Sequence, residues 1–126
     1  MCGMVIREQP VLYSVDLREC REVAGLAPEQ VTATFIAALE RAGATIVQTC
    51  STVFPGAGLT CVLILSESHA VLHTWPETGT VNIDIFSCST RLKSRAAIDD
   101  LGRSFGARDV SVQEIPRADG HHPPPD

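Results

Sequence analysis

At 126 residues the chain is long enough for one hydrophobic core, and its 44% hydrophobic and 20% charged residues are ordinary for a globular protein. Its net charge of −5, from 10 basic and 15 acidic side chains, argues against a nucleic-acid partner, which calls for a basic patch. The same balance is compatible with a cationic small-molecule substrate. No apolar run is long enough to span a bilayer, and Met1 to Pro10 lack the apolar core of a signal peptide, so no membrane partner and a cytoplasmic location are expected. The five cysteines (Cys2, Cys20, Cys50, Cys61, Cys88) are an odd number without CxxC spacing, which predicts free, mostly buried thiols.

Val11 to Leu17 alternate apolar and polar residues and predict a strand. Pro28, with Glu29 and Gln30 behind it, suits a first helical turn. Val31, Phe35, Ala38, Leu39 and Ala42 then recur at helical spacing, and Gly43 stops the helix. Thr45 to Val53 is β-branched and reads as a strand. Phe54 to Gly58 is a turn. Three strands follow, Thr60 to Leu65, Ala70 to Trp75 and Thr80 to Phe86. Ser89 or Thr90 caps a second helix whose Leu92, Ile98, Leu101 and Phe105 face inward. Gly106 ends it, and Asp109 to Ile115 is the last strand. Residues 1–116 form one domain, and 117–126, with His121 and His122, form a disordered tail.

This order, β-α-β-β-β-β-α-β, predicts an α+β two-layer sandwich: an antiparallel sheet with both helices on one face. Cys61 to Leu65 and Val81 to Phe86 read as apolar on nearly both faces. A second protomer, packed sheet to sheet, would cover the face without helices.

The chemistry-bearing residues concentrate between Thr60 and Cys88. Ser66-Glu67-Ser68-His69 is followed by His73-Thr74-Trp75-Pro76-Glu77 and then by Asp84-Ile85-Phe86-Ser87-Cys88. Each residue has a plain structural reading as well. A serine after a strand is a turn residue, a histidine on a strand is a satisfied core residue, and a lone cysteine is a buried thiol. Trp75 reads as packing, Phe54 as a turn aromatic and Glu77 as a solvated loop carboxylate. His69 and His73 lie on one strand face and with Cys88 would make three zinc ligands, but no fourth is evident.

Taken together, these blocks resemble the prokaryotic S-adenosylmethionine decarboxylase proenzymes. Asp16 to Cys20 and Gly43 to Val47 resemble further stretches of that family. The resemblance implies a self-cleaving chain. Ser68 Oγ attacks the carbonyl of Glu67, and the resulting ester eliminates, giving a dehydroalanine that hydrolyses to a pyruvoyl group. The products are residues 1–67 and 68–126. Thr60 is the implied processing hydroxyl and His73 the processing base, while His69 carries less weight. The pyruvoyl ketone then forms a Schiff base with the substrate amine and accepts the electrons left by the departing carboxylate. Cys88 is the implied proton donor, a role suited to a thiol with an ordinary pKa of about 8.5. Glu77 would hold the ribose hydroxyls and Phe54 would stack on the adenine. The implied product is the aminopropyl donor of polyamine biosynthesis, and the implied assembly is a homodimer with two sheets inside and helices outside.

The chain departs from the family pattern at Thr60, where serine is usual, at Cys61 and Ser89, where glycine is usual, and in the Phe54-to-Gly58 turn, whose proline stands one place early. Pro10-Val11-Leu12 replaces a usual Gly-x-His. Two alternatives therefore stand beside the main reading. One is a pyruvoyl decarboxylase acting on arginine or ornithine. The other is a non-catalytic homologue that activates an enzyme partner.

Overall fold

The structure, a computed structural model, describes residues 9–88 and 91–119. The chain runs β1 (Val11–Arg18), a 3-10 turn (Val23–Gly25), α1 (Pro28–Arg41), β2 (Ile46–Val53), β3 (Leu59–Leu65), β4 (Ser68–Trp75), β5 (Thr80–Ser87), α2 (Ser94–Ser104) and β6 (Asp109–Pro116). This is the expected order. The strands form one antiparallel sheet in the order β2-β3-β4-β5-β1-β6.

Alternation along the central strands separates the two faces of the sheet. Leu59, Cys61, Leu63 and Leu65 of β3 are buried, as are Ala70 and Leu72 of β4, Val81, Ile83 and Ile85 of β5, and Val15 and Leu17 of β1. They pack against Val31, Phe35, Ala38 and Leu39 of α1, and Ala97, Ile98 and Leu101 of α2. Phe35 and Phe105 are fully enclosed. Truncating either to alanine removes apolar contact and leaves a hole, at a cost of about 3–5 kcal/mol.

Local chemistry sets the helix ends. The Ala27 N–H donates to Gln30 Oε1 at 2.8 Å, satisfying a donor at the start of α1. After α1 the chain turns through Gly43 at φ +102, where a Cβ would collide with the Arg91 carbonyl oxygen. Only glycine tolerates that backbone angle and that approach. The Lys93 N–H then donates to Ala42 O at 2.8 Å, and Arg41 clasps Asp100, tying the two helices together. α2 begins at Ser94 with Lys93 before it, so the expected cap at Ser89 or Thr90 is not made at the helix start; both residues lie outside those described. Leu92, Ile98, Leu101 and Phe105 face inward as expected.

The open face differs from expectation. On β5 it carries Asn82, Asp84 and Phe86, while Val81, Ile83 and Ile85 are taken by the helix side. Polar side chains thus run across the middle of the face: Asn82 Nδ2 donates to Asp16 Oδ1 at 2.8 Å, and Arg18 donates to Ser111 Oγ at 2.8 Å. The cysteine expectation also needs correction. Cys20 and Cys61 are buried and free, but Cys50 is exposed on the edge strand β2, and Cys88 is disulfide-bonded. The tail expectation, with His121 and His122, falls mostly beyond the described residues.

Candidate active site

The β3–β4 hairpin turns on two residues, Ser66 and Glu67, since Leu65 already pairs with Ser68. The expected strand therefore starts two residues early, at Ser68 rather than Ala70. Ser66 N–H is held by the Thr45 carbonyl at 3.0 Å. Glu67 closes the turn at φ +61, a left-handed angle that costs a residue with a Cβ about 1–2 kcal/mol. The Glu67–Ser68 peptide leaves this strained residue.

Ser68 is buried at the head of β4, and among the described residues its Oγ has no hydrogen-bond partner. An ordinary turn serine would use that hydroxyl to satisfy nearby backbone. An unspent hydroxyl is free to act as a nucleophile once a general base reaches it. Cys88, just past the end of β5, brings Sγ to 3.0 Å from the Glu67 carbonyl oxygen. In the disulfide this is a contact; only the thiol can donate a proton across it. Glu67, Ser68 and Cys88 thus converge on one peptide bond.

A second cluster occupies the other end of the hairpin. Thr60 on β3 lies directly opposite His73 on β4, with Oγ1 and Nδ1 2.8 Å apart. Either atom can be the donor, according to the imidazole tautomer. Phe54 begins the tight turn before β3, where its N–H donates to Gly58 O at 2.7 Å and Ala57 N–H donates back to Phe54 O at 3.0 Å. Glu77 sits in the β4–β5 turn, where the Thr78 and Gly79 N–H groups donate to Trp75 O at 3.1 and 2.9 Å. Phe54, Thr60, His73, Trp75 and Glu77 line one cavity of about 560 Å³. The expected binding residues, Phe54 and Glu77, therefore share a cavity with the expected processing pair.

The structure does not bring these two clusters together within the chain. Ser68 and His73 are five residues apart on one strand, a separation of roughly 17 Å at the rise of an antiparallel strand. They also face opposite sides of the sheet, Ser68 toward the helices and His73 toward the open face. His69 is on the open face and stacks on Phe86 with ring centroids 5.4 Å apart. Among the described residues no group of three or more His, Cys, Asp or Glu side chains is placed to hold a metal ion. Cys20, outside both clusters, has its thiol pKa pushed up to about 11 by burial.

Two residues of the site were not expected from sequence. Trp75 is 49% exposed, so it is a wall of the cavity rather than packing. Its Nε1–H donates to Asn82 Oδ1 at 2.6 Å. The signal for Trp75 was present: it stands two residues from His73 on the same strand, hence on the same face. Nothing in the sequence singled out Asn82, which depends on cross-strand register.

Comparison with known proteins identifies the family. A profile of the S-adenosylmethionine decarboxylase family matches residues 12–118. An S-adenosylmethionine decarboxylase proenzyme from Moorella thermoacetica is 43% identical over 81 residues, which is 64% of each chain. One from Acidithiobacillus ferrooxidans is 37% identical over 87 residues, 69% of this chain and 65% of that one. These two matches each span slightly less than two thirds of the relative. The proenzyme of Thermodesulfovibrio yellowstonii is 29% identical over 103 residues, 82% of this chain and 76% of its own. The crystal structure of the adenosylmethionine decarboxylase from Aquifex aeolicus superposes with a TM-score of 0.81 at 20% identity, covering 96% of this chain and all of that one, a likeness of fold. With 12–118 of its 126 residues matched, the chain belongs to the S-adenosylmethionine decarboxylase family.

Proposed function

We propose that the protein is a self-cleaving, pyruvoyl-dependent decarboxylase of S-adenosylmethionine. The observation that carries this is the Glu67–Ser68 peptide: a strained residue before it, a buried and unpartnered hydroxyl after it, and the Cys88 sulfur on its carbonyl. Attack of Ser68 Oγ on that carbonyl relieves the left-handed turn residue from its peptide constraint and divides one domain, residues 1–116, at position 67. The 117–126 stretch stays with the C-terminal piece.

The orphaned Ser68 hydroxyl fits the precursor of a covalent pyruvoyl group, which when present serves as an electron sink for decarboxylation. Around it, Cys88 as a thiol delivers the proton that replaces the lost carboxylate. Phe54 and Trp75 offer flat apolar faces to a purine, and Glu77 offers two acceptors to ribose hydroxyls. Two aromatic walls beside a carboxylate suit a nucleoside better than the flexible aliphatic side chains of arginine or ornithine.

The separation of the two clusters supports a homodimer. The Thr60–His73 pair is about 17 Å from the Ser68 of its own chain, too far for proton transfer. A two-fold partner laid antiparallel on the open face would bring its own Thr60 and His73 ends toward this chain's Glu67–Ser68 end. The half-exposed Ile64 would then be covered. No helix among the described residues is long and apolar enough to cross a membrane. The free thiols of Cys20, Cys50 and Cys61, together with a Cys88 that must be reduced to act, fit the reducing cytoplasm.

Intact mass under denaturing conditions tests the reading. The expected result is two chains broken between Glu67 and Ser68, the C-terminal one lighter by one ammonia than a chain starting with serine. Carbon dioxide should then be released from S-adenosylmethionine and not from arginine or ornithine. A single uncut chain, under conditions where the family cleaves, would favour the non-catalytic alternative.

A further inference from the structure

We propose that Asn82 and Asp16 form a positioning relay that fixes the indole of Trp75 as a rigid wall of the nucleoside cavity, and so set affinity for the nucleoside part of the substrate. This rests on the proposed reading of that cavity. Trp75 lies on the rim of β4 and half its surface is open to solvent. Left alone, such an indole would sample several rotamers, and freezing it on binding would weaken the complex. It is not left alone. Its Nε1–H donates to Asn82 Oδ1 at 2.6 Å, and Asn82 Nδ2 donates to Asp16 Oδ1 at 2.8 Å.

The direction of this chain is fixed by chemistry. An indole N–H can only donate and an ionised carboxylate can only accept, so the Asn82 amide between them has one satisfactory orientation. Asp16 is in turn steadied by Arg18, whose Nη2 lies 3.4 Å from Oδ2. The three relay residues stand on three adjacent strands, with Asn82 paired to His73 on one side and Asp16 on the other. Asn82 does not line the cavity, so it acts only through Trp75. The relay presents a pre-organised aromatic face opposite the turn that carries Phe54, the stretch where this chain departs from its family's spacing.

Trp75 is the one tryptophan of the chain, so its fluorescence reports the relay without interference. The test compares wild type, Asn82→Ala, Asp16→Ala and Asp16→Asn. The probe is 5′-deoxy-5′-methylthioadenosine, a nucleoside thioether lacking the reacting amine and carboxylate. In the unliganded protein, Asn82→Ala should shift the Trp75 emission and lower its anisotropy. Asp16→Ala should do so in part, and Asp16→Asn, whose amide oxygen still accepts, should restore the wild-type emission. Asn82→Ala should weaken probe binding and raise KM by roughly three- to tenfold, the loss of one ordinary hydrogen bond. Its kcat should fall far less, and it should still be cut at Glu67–Ser68. Unchanged emission, anisotropy and probe affinity in Asn82→Ala, with cleavage and turnover intact in the wild type, would overturn the relay alone. A wild type that neither cleaves nor binds the probe would overturn the reading beneath it, and the proposal with it. A misfolded Asn82→Ala is replaced by Asn82→Asp, which keeps the indole's acceptor but sets a second carboxylate against Asp16. It should show the same KM-against-kcat split.

Discussion

Thr60 and His73 face each other across β3 and β4 with Oγ1 and Nδ1 2.8 Å apart, yet both stand at the far end of the hairpin from Ser68. The pair proposed to drive cleavage is thus assembled by one chain and aimed away from that chain's own serine. The proposed sharing of the site between two chains predicts complementation. Ser68→Ala and His73→Ala chains, each uncut alone, should on coexpression give mixed dimers in which the His73→Ala chain is cut and the Ser68→Ala chain is not. Mass spectrometry distinguishes the two. Cutting of His73→Ala on its own at the wild-type rate would remove His73 from processing, and failure of the mixture would place the chemistry within one chain.

The Thr60 hydroxyl should matter more than its methyl. Thr60→Ser should cleave at least as fast as wild type, since the oxygen opposite His73 is kept. Thr60→Val removes only that oxygen and should slow cleavage by about 10²–10³-fold, the usual loss for one group stabilising a developing oxyanion. The measurement is the time course of chain cutting on a denaturing gel. Equal rates for Thr60→Val and wild type would show that the hydroxyl is only structural.

Cys88 should make activity depend on reductant. A sulfur held in a disulfide has no proton to give, so protein isolated without reductant should decarboxylate poorly and recover on adding a dithiol. Cys88→Ala should still be cut at Glu67–Ser68 but lose about 10²-fold or more in turnover, the usual contribution of a positioned proton donor. Full turnover by Cys88→Ala would exclude it from the chemistry.

Relieving the backbone at position 67 should separate stability from reactivity. In the uncut Ser68→Ala background, Glu67→Gly should stabilise the fold by about 1 kcal/mol, because glycine accepts φ +61 without a Cβ clash. With Ser68 present, the same change should slow cleavage, as less strain is released. Glu67→Ala keeps the clash and controls for loss of the carboxylate. Thermal melts and cleavage rates provide both readings.

Burial of Cys20 predicts alkaline sensitivity. Its folded pKa of about 11 lies above the usual thiol value, so between the two the unfolded chain gives up a proton that the folded chain keeps. The protein should therefore lose stability as pH rises above about 8.5. Cys20→Ala should lose less over that window, measured as the difference in urea midpoints. Identical pH profiles would show that Cys20 does not titrate differently in the two states.

Much of this protein was legible from residues alone, and the parts that were share a cause. Helices and strands announced themselves through periodicity. Val31, Phe35, Ala38 and Leu39 recur at helical spacing, and β3 through β5 are short apolar runs separated by turns. The local order of Glu67, Ser68, His73, Glu77 and Cys88 carried the family, because cleavage needs a particular peptide bond and its neighbours in sequence.

Tertiary structure alone decided how those residues divide. Register sets Thr60 against His73 and Asn82 against Asp16, and register depends on turn lengths and pairing partners that no single strand encodes. The strand rise then places Ser68 and His73, five positions apart, at roughly 17 Å, turning what reads as one cluster in the sequence into two. The exposure of Cys50 and the polar middle of the open face likewise follow from the pairing, β2 lying at the sheet edge and β5 turning Asn82 and Asp84 away from the helices. The sequence by itself determined the elements, their order and the family, because these follow from local periodicity and short-range chemistry. Which side chains meet was decided only when six strands paired, because contact across a sheet is a property of the pairing and not of any one strand.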